Sequence, residues 1–202
     1  QVLVCTGADY ADTVAAELPE LKPANILGEP EGRDSLNAVA WPAAVLAARD
    51  PDAVIAVVTA DHIMHPADAF QHAVIEGFEV AESAEDFLVT FGVVPTAPHT
   101  GYGYLRRGEA IPGHPDVFSV VEFKEKPKGD ALTAMQVDTT RFGLSSDEAL
   151  SRRYLASMGI YIFKADVLVR ALEEDATRAA SEHDFGRNIL PSLINKGPVF
   201  AY

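Results

Sequence analysis

The sequence predicts an α/β fold with a Rossmann-like sheet, mixed but mostly parallel, and helices flanking it. Strand-length apolar runs alternate with helix-length segments, which is typical of βαβ units. Residues 53–58 are apolar without alternation, as expected for a strand that is buried on both faces. The chain has 202 residues, of which 48% are hydrophobic, so it is long enough to bury one sizeable core. We therefore expect residues 1–202 to form a single domain.

The predicted strands and helices follow one another in order along the chain. Apolar runs predict strands at 1–6, 25–28, 53–58, 87–94, 155–163 and 199–202. Helical patterns predict helices at 9–18, 35–48, 66–82, 165–174 and 187–195. Pro66 suits the first turn of its helix, whereas Pro42 predicts either a kink or a helix that begins there.

The middle of the chain has a different pattern. Residues 102–104 and 117–123 alternate apolar with polar residues on either side of a Gly/Pro/His turn at 112–115. This alternation predicts an antiparallel pair of half-exposed strands, or an insertion over the active face. Residues 129–153 are polar and mixed, so only short helices are expected there. Because the chain begins and ends within predicted strands, we expect a domain that is incomplete at the N-terminus and truncated at the C-terminus.

Charge and composition exclude several classes of function. The net charge is −14, and residues 1–104 hold 3 basic and 16 acidic side chains. Such an acidic chain is a poor nucleic-acid binder, although a small phosphorylated ligand needs only a few local donors and a metal. The apolar runs are too short to cross a membrane, and no signal peptide opens the sequence. A single cysteine, Cys5, cannot form an internal disulfide, which favours a reducing, cytoplasmic location.

Asp61 is the first candidate for chemistry. It follows the apolar strand at 53–58 and precedes a helix, and open α/β sheets bind ligands at the carboxyl ends of their strands. A carboxylate in this position has the right chemistry to hold Mg²⁺ against a phosphate. The alternative is that Asp61 is a helix-capping turn residue, and that His62 beside it only hydrogen-bonds the backbone.

Three further motifs carry candidate residues, and each has a structural alternative. Gly101 and Gly103 remove side chains where either a ligand or a neighbouring strand approaches the backbone. Lys126 shares a predicted strand face with the lysines two residues away on either side and supplies a point charge for phosphate. On the pattern alone, a solvated edge strand protected by lysines is favoured. Asp184 is either a second metal ligand or the N-cap of the helix that follows.

Taken together and in order, these segments resemble one family, the sugar-1-phosphate nucleotidylyltransferases. Residues 1 to about 128 are similar to mannose-1-phosphate guanylyltransferase. The matching segments are Glu29-Pro30-Glu31-Gly32-Arg33-Asp34-Ser35, Thr59-Ala60-Asp61-His62, Val89-Thr90-Phe91-Gly92, Pro95-Thr96 and Thr100-Gly101-Tyr102-Gly103-Tyr104. From about residue 124 the chain is similar instead to glucose-1-phosphate adenylyltransferase. Those segments are Glu125-Lys126-Pro127-Lys128-Gly129-Asp130, Val137-Asp138-Thr139-Thr140, Leu155-Ala156-Ser157-Met158-Gly159-Ile160-Tyr161 and His183-Asp184-Phe185-Gly186.

The resemblance implies a fold of the nucleotide-diphospho-sugar transferase type and a Mg²⁺-dependent reaction. That reaction transfers a nucleotidyl group from a nucleoside triphosphate to a sugar 1-phosphate. The front part implies GTP and mannose 1-phosphate, and the back part implies ATP and glucose 1-phosphate. The implied catalytic residues are Asp61, Lys126 and Asp184, and the two aspartates are the implied metal ligands. The implied substrate-binding residues are Glu29, Arg33, Gly103, Glu125 and Ser157.

The 202 residues do not contain the family's Gly-rich loop, whose arginine helps to cradle the triphosphate. We therefore expect this chain to be inactive by itself. The same observation favours an alternative of another class, a non-catalytic fragment or assembly subunit that binds sugar phosphate. The sequence does not decide the oligomeric state and leaves a homo-oligomer open.

Overall fold

The computed structural model describes residues 1–32, 34–83, 88–182, 184–196 and 199–201. Its strands are β1 (Val4–Gly7), β2 (Ile26–Glu29), β3 (Val54–Val57), β4 (Leu88–Val93), β5 (Gly103–Ile111), β6 (His114–Glu125), β7 (Leu155–Lys164) and β8 (Val199–Ala201). Its α-helices are α1 (Ala11–Glu17), α2 (Asp34–Arg49), α3 (Ala67–Ser83), α4 (Asp130–Thr133), α5 (Ser146–Ser151), α6 (Ala165–Ala176) and α7 (Leu190–Lys196). A π-helical turn, Phe185–Ile189, leads into α7, and short 3₁₀ turns lie at Ala8–Tyr10, Pro23–Asn25 and Thr139–Phe142.

The strands form two sheets. β1 and β2 pair in parallel as a small sheet of their own. The other six strands follow the order β3-β7-β4-β8-β6-β5, and β5 also pairs with β7. That last contact joins Tyr104 to Ala156 and Leu105 to Leu155. Five strands therefore close into a barrel-like ring, and β3 lies beside β7 on the outside of it.

The prediction of a mostly parallel sheet is wrong. Among the described residues, only β1–β2 and β4–β8 pair in parallel, whereas the other five pairings are antiparallel. The predicted antiparallel pair is confirmed as β5 and β6. The error arises at β7, which runs antiparallel between β3 and β4 although residues 158–163 are apolar without alternation.

Packing on both faces explains why β7 shows no alternation. Phe163 belongs to a core cluster that also contains residues of α2 and α6, whereas Ile162 belongs to a second cluster that contains residues of α3. Both side chains are fully buried. An apolar run therefore indicates that a strand is covered on both faces, and it does not report the direction of the strand.

Pro42 lies in the middle of α2, which runs without interruption from Asp34 to Arg49. The expectation that a helix begins at Pro42 is wrong. Val39 and Ala43, on either side of the proline, are buried in the first core cluster, and their packing stabilises a helix that proline weakens. Pro66 precedes α3 directly, and its carbonyl accepts a hydrogen bond from the Phe70 amide at 3.4 Å.

Candidate active site

Asp61 lies in the turn after β3, with its side chain 87% exposed. Its Oδ1 atom is 4.0 Å from Nε2 of His62. Because α3 begins only at Ala67, Asp61 does not cap that helix, and the capping alternative is wrong. In the described part of the chain, the contact of the His62 ring is with Asp61 and not with the backbone.

The chain beyond β3 runs beside an irregular stretch of β7. Val57 pairs with Tyr161, and a Cβ atom built on Gly159 would lie 3.9 Å from Cγ2 of Thr59. Gly159 has φ +66°, and the register between β4 and β7 shifts at the same level. Such a β-bulge re-aims the side chains of its strand and is frequent beside active sites.

Ser157 and Tyr161 form a hydrogen-bonded pair across this bulge. The Ser157 hydroxyl accepts a hydrogen bond from the Gly159 amide at 3.2 Å. Burial raises the pKa of Tyr161 to about 12, and the hydrogen bond with Ser157 opposes that rise. The Tyr161 phenol therefore stays neutral at physiological pH. The sequence prediction included Ser157 but missed Tyr161, because an aromatic residue in an apolar strand looks like ordinary core.

Glu125 ends β6 with its side chain only 17% exposed. Its Oε1 atom is 3.5 Å from Nζ of Lys126. Its Oε2 atom would lie 2.8 Å from a Cβ atom on Gly103 and 2.6 Å from one on Gly186. Burial raises the pKa of Glu125, while the charge of Lys126 lowers it. The carboxylate thus lies against the backbone of two glycines, and a lysine faces its other oxygen.

Gly103 begins β5, and the absence of a side chain there makes room for β6. A Cβ atom would lie 2.6 Å from Cζ of Phe123 as well as close to Glu125. The interpretation of Gly103 as a close approach of a neighbouring strand is therefore confirmed. Its role in substrate contact is untested and stays a prediction.

The loop before Gly103 is held by hydrogen bonds from two sides. The Tyr104 hydroxyl donates to the His99 carbonyl and accepts from the His99 amide, both at 2.8 Å. Arg152 donates from Nη2 to the Val94 carbonyl at 2.9 Å and from Nε to the Pro95 carbonyl at 3.1 Å. These bonds anchor the loop at both ends and so define where β5 starts.

Lys126 lies just beyond the end of β6 in a left-handed conformation, with φ +47°. Its amide donates to the Tyr102 carbonyl at 3.0 Å, and its side chain is half exposed. The prediction that Lys126 shares a strand face with Lys124 is wrong, because the strand ends at Glu125 and the backbone turns there. Lys124 instead pairs with Glu122 at 2.9 Å.

Asp184 caps the π-helical turn, as the capping interpretation predicts. Its Oδ1 atom accepts a hydrogen bond from the Arg187 amide at 2.8 Å, and its own amide donates to Oδ1 of Asn188 at 3.0 Å. Its charge contributes to raising the pKa of Glu125 and Tyr161, so it lies near both. The ring of Phe185, the next residue, is 4.7 Å from the Tyr161 ring between centroids.

Arg187 adds a cation that the sequence prediction missed. Its guanidinium pairs with Glu182, and the charges of Asp184 and Glu125 also act on it. It lies three residues after Asp184 in the same turn. Its position near Asp184 was predictable from the sequence, because residues three apart in a helical turn lie on the same side of the helix.

Glu29 and Arg33 belong to a different part of the chain. Glu29 ends β2 close to Cys5, and its charge adds to the burial that raises the pKa of Cys5 to about 11. The Oε1 atom of Glu29 is buried and has no hydrogen-bond partner among the described residues. Arg33 lies outside the described residues. No described contact joins Glu29 to the group around Glu125.

Of the two predicted metal ligands, Asp184 lies near Tyr161 of β7 and Asp61 lies in the turn after β3, and no described contact joins their carboxylates. In the described ranges, no group of three or more His, Cys, Asp or Glu side chains is arranged to hold a metal ion. Mg²⁺ commonly takes one or two carboxylates and completes its shell with water and substrate phosphates. The exposed Asp61 carboxylate and the second oxygen of Asp184 are oxygen donors of this kind.

Comparisons with known proteins identify relatives of the chain. Residues 1–202 match the family model described as nucleotidyl transferase. A mannose-1-phosphate guanylyltransferase of Escherichia coli K12 is 36% identical over 179 residues, which are 86% of this chain and 34% of that protein. One from Salmonella montevideo is 36% identical over 178 residues, covering 85% of this chain and 34% of that protein. The chain thus spans about a third of the length of these curated relatives.

Solved structures support the fold. A protein described as mannose-1-phosphate geranyltransferase from Thermus thermophilus superposes with a TM-score of 0.69 at 24% identity, covering 98% of this chain and 57% of that chain. A protein described as mannose-6-phosphate isomerase from Helicobacter pylori superposes with a TM-score of 0.63 at 19% identity, covering 98% and 70%. A search of the described helices finds none with the length and apolarity needed to cross a membrane.

Proposed function

Since the chain belongs to the nucleotidyl transferase family, we propose that it forms the sugar-phosphate half of a sugar-1-phosphate nucleotidylyltransferase. The reaction transfers a nucleotidyl group from a nucleoside triphosphate to a sugar 1-phosphate and releases pyrophosphate. GTP and mannose 1-phosphate are the proposed substrates, because the relatives are named for that pair. The observation that carries the proposal is the half-buried Glu125 carboxylate beside a half-exposed Lys126 at the rim of the ring.

The proposed chemistry needs positioning and charge neutralisation more than proton transfer. The nucleophile is a phosphate oxygen that is already anionic, so no general base is needed. Lys126 presents an ammonium group to the sugar phosphate. Glu125 accepts hydrogen bonds from sugar hydroxyls, while Ser157 and the open backbone at Gly103 contact the ring. Asp61 and Asp184 would hold Mg²⁺, which supplies charge neutralisation between the phosphates when bound.

Fewer residues are proposed to bind the nucleotide than the sugar phosphate. Glu29 and Arg33 are proposed to approach the base, and the Oε1 atom of Glu29, which is buried without a hydrogen-bond partner among the described residues, is an acceptor whose pairing would favour a donor there. Binding of the triphosphate also needs a local group of cations, and residues 1–104 hold only 3 basic side chains beside 16 acidic ones. We therefore expect turnover only from a protein that contains a triphosphate-binding loop in addition to these residues.

The test is pyrophosphate release by the full protein that carries this chain, with GTP and ATP crossed against mannose 1-phosphate and glucose 1-phosphate. We expect release to be fastest with GTP and mannose 1-phosphate, and Asp61→Asn to lower it by roughly 100-fold or more. If ATP with glucose 1-phosphate is fastest, the adenylyl assignment of the back part of the chain is correct. If no pyrophosphate is released with any of the four substrate pairs, the proposal is wrong.

A second candidate is a non-catalytic subunit that binds sugar phosphate. Calorimetric binding of mannose 1-phosphate, combined with no pyrophosphate release from the full protein, would identify this function. Turnover by the 202-residue chain alone, clearly above its Asp61→Asn variant, would exclude it.

A further inference from the structure

Two glycines from distant parts of the chain enclose one carboxylate oxygen. Gly103 begins β5 and Gly186 is the second residue of the π-helical turn, and both are buried. A Cβ atom on Gly186 would lie 2.6 Å from Oε2 of Glu125, 2.9 Å from Cδ and 3.1 Å from Cγ. The three closest contacts of that Cβ position thus all belong to Glu125. The space beside Gly186 is therefore taken up by this one side chain.

The other carboxylate oxygen is oriented separately. Oε1 of Glu125 faces Nζ of Lys126 at 3.5 Å, so the two oxygens have different neighbours. The plane of the carboxylate is consequently set by Gly103 and Gly186 on one side and by Lys126 on the other. A carboxylate with a defined plane offers its lone pairs in defined directions, which is what distinguishes sugar hydroxyls that differ only in stereochemistry.

We propose that Gly186 is a positioning residue, which holds the Glu125 carboxylate in the one orientation that selects among sugar 1-phosphates. This inference rests on the proposed function, because it assumes that Glu125 binds the sugar. Gly186 does not contact the sugar in this scheme and acts only through Glu125. The π-helical turn matters because it places the Gly186 backbone against β6 while Asp184 caps the same turn.

A Cβ atom at position 186 is expected to move Glu125 and leave the fold intact. The atoms that it would meet all belong to one flexible side chain, whose Oε1 atom faces the half-exposed Lys126. The matched control is Gly7→Ala. Its Cβ atom would make only an ordinary contact of 3.4 Å with the Tyr10 ring, and φ at Gly7 is −61°.

The experiment measures binding of mannose 1-phosphate and glucose 1-phosphate to the 202-residue chain by titration calorimetry. We expect Gly186→Ala to weaken binding of the preferred sugar 1-phosphate roughly 10-fold. The affinities for mannose 1-phosphate and glucose 1-phosphate should therefore become more similar. Binding of inorganic phosphate, which has no sugar ring and so no sugar hydroxyls for Glu125, should stay unchanged. Gly7→Ala should leave all three affinities unchanged.

A double-mutant cycle separates positioning from a general structural effect. In a Glu125→Ala background the steric conflict is absent, so adding Gly186→Ala should have no further effect on sugar 1-phosphate affinity. The double variant also keeps the test valid if Gly186→Ala alone unfolds. If Gly186→Ala weakens binding equally in both backgrounds, or leaves the wild-type preference intact, the inference is wrong. If the wild-type chain binds inorganic phosphate but shows no added affinity for either sugar 1-phosphate, the proposed function fails and the inference falls with it.

Discussion

Lys126 is the residue at which backbone geometry and proposed chemistry coincide. Its φ of +47° lies in the left-handed region, where the Cβ atom of an L-residue is crowded. A residue keeps such a conformation only where the surrounding structure enforces it, and residues of this kind cluster at ligand sites. The periodicity of the lysines could not predict this turn, since a left-handed residue leaves no signal in an alternating pattern. The resemblance identified Lys126, but only the structure shows that it leaves the strand.

The left-handed conformation predicts a difference between two variants that both remove the ammonium group. Lys126→Gly should have a free energy of unfolding about 0.5–1 kcal/mol higher than Lys126→Ala, because glycine adopts positive φ without a Cβ penalty. Urea unfolding measures both values. Both variants should lose sugar 1-phosphate binding. Equal free energies of unfolding would show that the backbone at position 126 is unstrained in solution.

The ionisation of the Cys5 thiol depends on the charge of Glu29. Burial, followed by the Glu29 charge, raises the pKa of the thiol from its usual value to about 11, so the folded state disfavours the thiolate. As pH rises from about 9 through about 11, the unfolded chain ionises first, and the folded state loses stability over that window. At about pH 9 we expect iodoacetamide to alkylate Cys5 roughly tenfold more slowly in the folded chain than in urea. Glu29→Gln should accelerate the reaction of the folded chain; an unchanged rate would place Glu29 away from the thiol.

At the scale of elements, Asp184 has two roles in the π-helical turn. Its carboxylate caps the turn, and it is also the proposed metal ligand. The sequence left these roles as alternatives, yet one carboxylate has two oxygens and the cap uses only one of them. The roles are therefore compatible, and they can be separated chemically because asparagine caps helices as well as aspartate does.

That separation predicts different outcomes for two substitutions of Asp184. Asp184→Asn should keep the free energy of unfolding within about 0.5 kcal/mol of wild type, whereas Asp184→Ala should lower it by about 1 kcal/mol. Both should weaken Mn²⁺ binding, measured by the relaxation of water protons in the presence of sugar 1-phosphate. If Asp184→Asn binds Mn²⁺ as tightly as wild type, Asp184 is a cap alone.

Some of the elements could be predicted from the sequence, and others could not. The β5–β6 pair was predictable because each of its strands has one half-exposed face and a turn between them. The direction of β7 was not, because both of its faces are covered and its partners come from distant segments. In the site, Ser157 was predictable from the resemblance, but the bulge that re-aims it depends on Gly159 and its partner strand.

At the scale of the molecule, β7 joins the two main core clusters. Ile162 is fully buried against α3, where its Cδ1 atom would lie 2.9 Å from a Cβ atom on Gly77. We expect Ile162→Ala to lower the free energy of unfolding by about 2–5 kcal/mol through lost burial and a residual cavity. Urea unfolding by fluorescence and by circular dichroism should give coincident transitions.

The matched control for this substitution is Ile75→Ala in α3, whose side chain is 58% exposed. It should change the free energy of unfolding by no more than about 0.5 kcal/mol, because little apolar area is lost and alanine favours helix. Similar losses from both substitutions would contradict the placement of β7 between two covered faces.

Among the described residues, β5 and β7 close the ring through two residue pairs, Tyr104 with Ala156 and Leu105 with Leu155. Gly103 and Ser157 are the immediate neighbours of that seam, so two proposed sugar contacts come together only when the ring closes. The segments that meet there are about fifty residues apart in sequence, so the seam forms only after that loop is ordered and later than the local hydrogen bonds of the helices. Sugar-phosphate affinity should therefore report on ring closure: on refolding it appears after the helices, and it is lost when the seam opens even while the helices persist.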